Sequence, residues 1–150
     1  MFRFSENKNG IIRTYDLFGE SNKTGFLSIP MEPKKELKLH WFVWNEDSKE
    51  VNTISIKAVN KESEEEIKTQ DYKLKEIGTP ITDIYDTGLI PIKSNSLETI
   101  KQRPFKQAKI PITLSKEGIW EFTVFVNNEE YATFEVFVPK TPNEVEYLNK

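Results

Sequence analysis

At 150 residues, with 37% hydrophobic and 12% aromatic residues, the chain is long enough to bury a core as a single domain, 1–150, and its 30% charged residues indicate a well-solvated surface rather than disorder. A net charge of −3, with no basic block long enough to draw a phosphate backbone by itself, makes nucleic acid an unexpected partner. The absence of cysteine removes disulfides, thiolate metal sites and cysteine nucleophiles together.

No stretch approaches the roughly 20 apolar residues of a membrane span, and MFRFSENKNG lacks the apolar segment of an export signal. IIRTYDLF and TGFLSIP follow as short strand candidates, separated by the loop GESNK. The next stretch, LKLHWFVWNED over 37–47, breaks the alternation of a strand with one wet face. Leu37, Leu39, Trp41 and Val43 share one side, but Phe42 and Trp44 lie on the side that Lys38 marks as exposed.

VNTISIKAVN, over 51–60, alternates Ile54, Ile56 and Ala58 with Thr53, Ser55 and Lys57, and is expected to pair with the preceding strand across NEDSKE. Residues 61–107 form an elaborated, irregular middle. KESEEEIKTQDYKLKEIG is read as a charged edge strand carrying Ile67, Tyr72, Leu74 and Ile77 rather than as a helix. Pro80, Pro91 and Pro104 limit regular structure further on, and SLETIKQ has the makings of a helical turn capped by Ser94 or Ser96. Ile110, Ile112 and Leu114 then mark a strand from Ala108 that should enter the final hairpin, with Pro111 confining it to an edge or bulge.

The clearest element is GIWEFTVFVNNEEYATFEVFV, over 118–138, two strand-forming runs about an NNEE turn. Trp120, Phe122, Val124 and Val126 face one way, with Ala132, Phe134, Val136 and Val138. The opposite side carries Phe125, Tyr131 and Phe137 among Glu and Thr residues. Residues 139–150 read as a tail.

Catalytic constellations are thin. His40 is the single histidine, and no partner for it is visible, so a structural imidazole is the expectation. Asp86, Thr87 and Gly88 spell the DTG of aspartic proteases, whose chemistry needs a second carboxylate about 3 Å away and therefore a dimer. An Asp-to-Gly turn explains the same three residues, and the dimeric protease remains the remote alternative. Glycines occur singly, never as a phosphate loop, and the acidic stretches NEDSKE and TDIYD lack calcium-loop spacing. No cofactor or metal ligand set is expected. Glu64, Glu65 and Glu66 are read as a solvated edge.

The aromatic surplus is what rises above background. If strands 37–44, 118–127 and 131–138 were neighbours in one sheet, Phe42, Trp44, Phe125, Tyr131 and Phe137 would share its outer face. That face would either be covered by the 61–107 excursion or bind a partner.

KTGFLSIPMEPKKELKLHWFVWNED and ITLSKEGIWEFTVFVNNEEYATFEVFV together resemble the immunoglobulin-like domains of uncharacterised cell-envelope lipoproteins of low-GC Gram-positive bacteria. The matching residues are Gly25, Phe26, His40, Trp41, Phe42, Trp44, Gly118 and Trp120, about a third of the chain being covered. The resemblance implies an envelope location and a non-enzymatic role. The expected fold is all-β, an immunoglobulin-like antiparallel two-sheet sandwich with an elaborated middle, in which Trp41 and Trp120 anchor the core from neighbouring strands. The expected function is a non-catalytic binding or structural module of the bacterial cell envelope whose partner is a protein or envelope component. An intracellular, cytoplasmic regulatory or inhibitor-like β-domain is the alternative.

Overall fold

The computed structural model describes residues 1–8, 10–44, 53–77 and 98–140, which form strands and turns without a helix. Strands β1 (Phe2–Lys8), β2 (Ile11–Glu20), β3 (Thr24–Leu27) and β4 (Glu36–Val43) run antiparallel in chain order within one sheet. β10 (Lys106–Thr113) pairs with β4 on the far side, followed by the short β8 (Lys75–Glu76). β9 (Glu98–Ile100) lies parallel to β1 at the other end. The second sheet has β11 (Gly118–Val126) between β12 (Glu129–Val138) and β5 (Thr53–Asn60), with β6 (Glu66–Lys68) and β7 (Tyr72–Lys73) on the outer side of β5. Seven strands face five in an all-β sandwich.

The main core follows from period two. Leu37, Leu39, Trp41 and Val43 of β4 and Ala108, Ile110 and Ile112 of β10 face Ile54, Ile56, Ala58, Trp120, Phe122 and Val124 of the other sheet. Trp41 and Trp120 are both fully buried. They anchor the core from facing sheets, however, not from neighbouring strands, because β4 and β11 belong to different layers.

The same separation corrects two expected pairings. The 53–60 strand does not pair with β4 but crosses to the second sheet, where Val124 stands opposite Ile56. The strand from Ala108 does not join the terminal hairpin; it pairs along β4, with Ile110 opposite Leu39. Both runs have one apolar face, and that pattern is satisfied equally by a place in either sheet. Among the described residues Pro111 sits at an edge, since β8 pairs only with Lys106 and Gln107 of β10.

The middle segment is a set of short strands. The chain passes from β7 in one sheet to β8 in the other through the buried Leu74, which enters the main core at the crossing. Glu98–Ile100 is a strand rather than the helical turn expected for SLETIKQ, because β1 offers it a pairing edge. Ser94, Ser96, the DTG of 86–88, NEDSKE, TDIYD and residues 141–150 lie outside the described residues.

The seven-stranded sheet coils on itself and encloses a second core. Phe2, Phe4, Tyr15, Leu17, Leu27, Phe42, Trp44 and Ile100 are buried together on the face that points away from the main core. Two glycines make the coiling feasible. Gly19 stands opposite Gly25, and Gly25 stands opposite Phe42. A Cβ on Gly25 would lie 2.7 Å from the carbonyl oxygen of Phe18 and 2.9 Å from the ring of Phe2. Gly19, at φ +155°, has Thr24 and Gly25 backbone where its own side chain would be. The roll is closed by residues 101–105. They run from β9 beside β1 to β10 beside β4, bury Pro104, and place the carbonyl of Gln102 2.7 Å from the indole nitrogen of Trp44.

Candidate functional site

The five aromatic residues expected on one outer face are dispersed, since β4 lies in one sheet and β11 and β12 in the other. Phe42 and Trp44 are 2% and 3% exposed inside the second core. Trp44 makes T-shaped contacts with Phe2 and Phe4 at ring-centroid distances of 5.5 and 5.9 Å. Among the described residues this pair is covered by the N-terminal strands β1 and β2 together with parts of the 61–107 segment: Ile77, Ile100 and the closing residues 101–105, whose Gln102 carbonyl accepts from the Trp44 indole. The alternation of Phe2 and Phe4 with Arg3 and Ser5 is the signal for this cover, and reading MFRFSENKNG only for an export segment misses it.

Tyr131 takes a third environment. In the β11–β12 ladder Val124 pairs with Ala132 and Phe125 with Glu130, so Tyr131 is the extra residue of a bulge. Its ring packs against the main core, and its hydroxyl donates to the carbonyl of Trp44 at 2.7 Å. The Lys23 ammonium lies 5.9 Å from the ring centroid. Burial, and secondarily the nearby Glu20 carboxylate, push the phenol above the usual tyrosine range.

Phe125 and Phe137 remain on the outer face of the second sheet, at its two ends. Phe137 pairs with the exposed Ile119, six residues before Phe125 on β11. The two rings are therefore about 20 Å apart along the strand. Glu121, Thr123, Thr133 and Glu135 occupy the face between them. A continuous aromatic patch does not form.

What does form is a cleft at the Phe125 end. It has a volume of about 380 Å³ and is lined by Ser55, Lys68, Thr69, Gln70, Asp71, Phe125 and Asn128. Phe125 and Ser55 stand opposite each other in the β11–β5 ladder and supply the floor. Asn127 and Asn128 have φ of 51° and 66°, the left-handed pair that a two-residue hairpin turn requires, and this sets Asn128 at the rim. The turn is fastened to β5 by two bonds between Asn127 and Thr53: the Asn127 amide donates to the Thr53 carbonyl at 3.0 Å, and the Thr53 amide donates to Asn127 Oδ1 at 3.2 Å.

The other wall is fixed as firmly. The Thr69 amide donates to the carbonyl of Ile56 and Thr69 Oγ1 accepts from the amide of Ile56, both at 2.9 Å. The same hydroxyl donates to the Gln70 carbonyl at 2.9 Å, so it belongs to the scaffold. Lys68 and Asp71 bring opposite charges to the rim. Apart from Phe125 and the turn asparagines, nothing in the sequence marks these residues, because 68–71 meet Phe125 only through the pairing of β6 and β7 with β5.

His40 has a structural setting. Its ring is buried and stacked on Phe42 at 4.6 Å, and Nε2 lies 2.6 Å from the side-chain oxygen of Gln107. Among the described residues no group of three or more His, Asp or Glu side chains is placed to hold a metal ion, and no helix is long and apolar enough to cross a membrane.

No protein-family model matches the chain, and no curated protein matches it. Among solved structures it is similar to a protein from Bacillus anthracis described as a putative lipoprotein, with 15% identity over 90% of this chain and 83% of that one, at a TM-score of 0.48.

Proposed function

We propose that the chain is an immunoglobulin-like, non-catalytic binding module of the bacterial cell envelope, and that it engages its partner at the Phe125 cleft. The observation that carries the binding role is a half-buried aromatic floor inside a ring of polar side chains, mounted on backbone hydrogen bonds from both walls. A fixed aromatic group of this kind contributes contact area without an ordering cost at the moment of binding. The sole histidine, buried against Phe42 and Gln107, is committed to packing, which favours the non-catalytic reading.

The envelope location rests on the sequence resemblance. Its matching residues Phe26, Trp41 and Trp120 lie in the main core, and Gly25 permits the close approach of Phe2, so the resemblance speaks to how the chain packs rather than to what it binds. The test is sedimentation of the purified domain with washed cell walls of Gram-positive bacteria. The domain is expected to co-sediment, Phe125→Ala to stay in the supernatant, and Phe137→Ala, at the far end of the same face, to behave as the parent. Co-sedimentation of Phe125→Ala at the parental level would remove the cleft from the function.

A further inference from the structure

We infer that the Phe125 cleft takes a neutral saccharide, a deduction that rests on the reading of this cleft as the binding site. Its polar groups decide the ligand class. Lys68 and Asp71 cancel, so the rim offers no net charge to an ion, and the chain as a whole is at −3, which disfavours a polyanion. A wholly apolar ligand would meet one aromatic ring in a lining otherwise made of Ser55, Lys68, Thr69, Gln70, Asp71 and Asn128, too little apolar surface to hold it.

A pyranose satisfies both halves of the site. One face of such a ring is a set of C–H groups that can lie on the Phe125 ring, while its edge carries adjacent hydroxyls that donate and accept together. With Thr69 Oγ1 already used by the backbone, the groups that remain are Ser55, Gln70, Asp71, Asn128 and Lys68. Among them a carboxylate accepts from two neighbouring hydroxyls, and the two amides both donate and accept. A cleft of about 380 Å³ has room for a short oligosaccharide rather than a long chain.

The experiment is an amide NMR titration of the whole chain with three neutral probes: maltotriose, cellotriose and chitotriose. At least one is expected to give saturable shifts confined to the neighbourhood of Ser55, Gln70, Asp71 and Asn128. Phe125→Ala should weaken that binding by about tenfold or more, and Phe125→Tyr should retain it. Asn128→Gly, which keeps the left-handed turn residue and removes only the side chain, gives a second reading should Phe125→Ala fail to fold, and is also expected to weaken binding. If none of the sugars shifts these amides while a neutral extended hexapeptide does, the saccharide assignment is overturned and the cleft stands as a peptide site. If neither sugar nor peptide shifts them, both this inference and the binding role of the cleft fall.

Discussion

The hydroxyl of Tyr131, at a bulge in the five-stranded sheet, donates to the carbonyl of Trp44, the residue that follows β4 in the other sheet, at 2.7 Å. The bulge turns Tyr131 out of the ladder and toward the opposite layer, so one irregular residue ties the two sheets together. Replacing it with phenylalanine keeps the packed ring and deletes the bond. Tyr131→Phe should cost about 0.5–1.5 kcal/mol, read as a lower urea midpoint at unchanged slope.

The same phenol gives a pH dependence with a definite sign. Burial and Glu20 hold its pKa above that of a tyrosine in the unfolded chain. Above about pH 10 the unfolded chain has lost a proton that the native chain still holds, so stability falls as pH rises. The contribution is complete below the unfolded value and is lost as pH climbs through the native one. The alkaline limb of stability against pH should therefore be shallower in Tyr131→Phe than in the parent. Parallel limbs in urea titrations would show that Tyr131 is not the group responsible.

Gly25 is where the coil of the seven-stranded sheet can be tested. An added Cβ meets both the Phe18 carbonyl and the Phe2 ring. Only the second obstacle can move. Gly25→Ala should lower stability by about 1–3 kcal/mol, and combining it with Phe2→Ala should recover the part due to the ring contact but not the part due to the backbone. Thermal denaturation of the four chains of this cycle gives the coupling; strict additivity would mean that Phe2 does not occupy the space beside Gly25.

The architecture was legible where the pattern has one solution. The 118–138 hairpin, the inward set of Trp120, Phe122 and Val124, and the edge position of Pro111 follow from period two and proline chemistry alone. Which sheet a half-buried strand joins was not legible, because alternation specifies a face and not a neighbour. Alternation accordingly predicts the wrong partner both for the 51–60 run and for the strand from Ala108. The aromatic site failed for the same reason: Phe42 and Phe125 have equivalent patterns, yet one lies inside a coiled sheet and the other lines an open cleft. Long-range pairing supplies Gln70 and Asp71 to the site, and no local signal in KTQDY reports it.

Trp41 and Trp120 are equally buried but differ at the indole nitrogen. Trp120 Nε1 donates to the Lys116 carbonyl at 2.9 Å, whereas Trp41 Nε1 is enclosed without an acceptor among the described residues. Truncating either to alanine should cost about 3–5 kcal/mol. Substitution by phenylalanine should separate them. Trp120→Phe deletes a hydrogen bond and Trp41→Phe relieves an unsatisfied donor, so the second should be milder by about 1 kcal/mol. Equal losses in urea denaturation would show that ring volume alone sets both costs.

The closing segment of the roll is held by a charge pair. Glu6, 7% exposed on β1, accepts from Arg103 Nε at 2.6 Å, and Arg103 follows the residue whose carbonyl binds the Trp44 indole. Removing the carboxylate leaves the guanidinium without this partner close to the second core, while the partial exposure of Arg103 softens the penalty. Glu6→Ala should cost about 1–2 kcal/mol. The loss should appear first as local opening of 98–105, because those residues link β9 to β10 and cover Trp44. Trp41 and Trp120 are sealed in the main core, so a rise in acrylamide quenching under native conditions would report Trp44. Quenching unchanged from the parent, with stability lowered, would mean that the pair supports the whole fold and does not latch the roll.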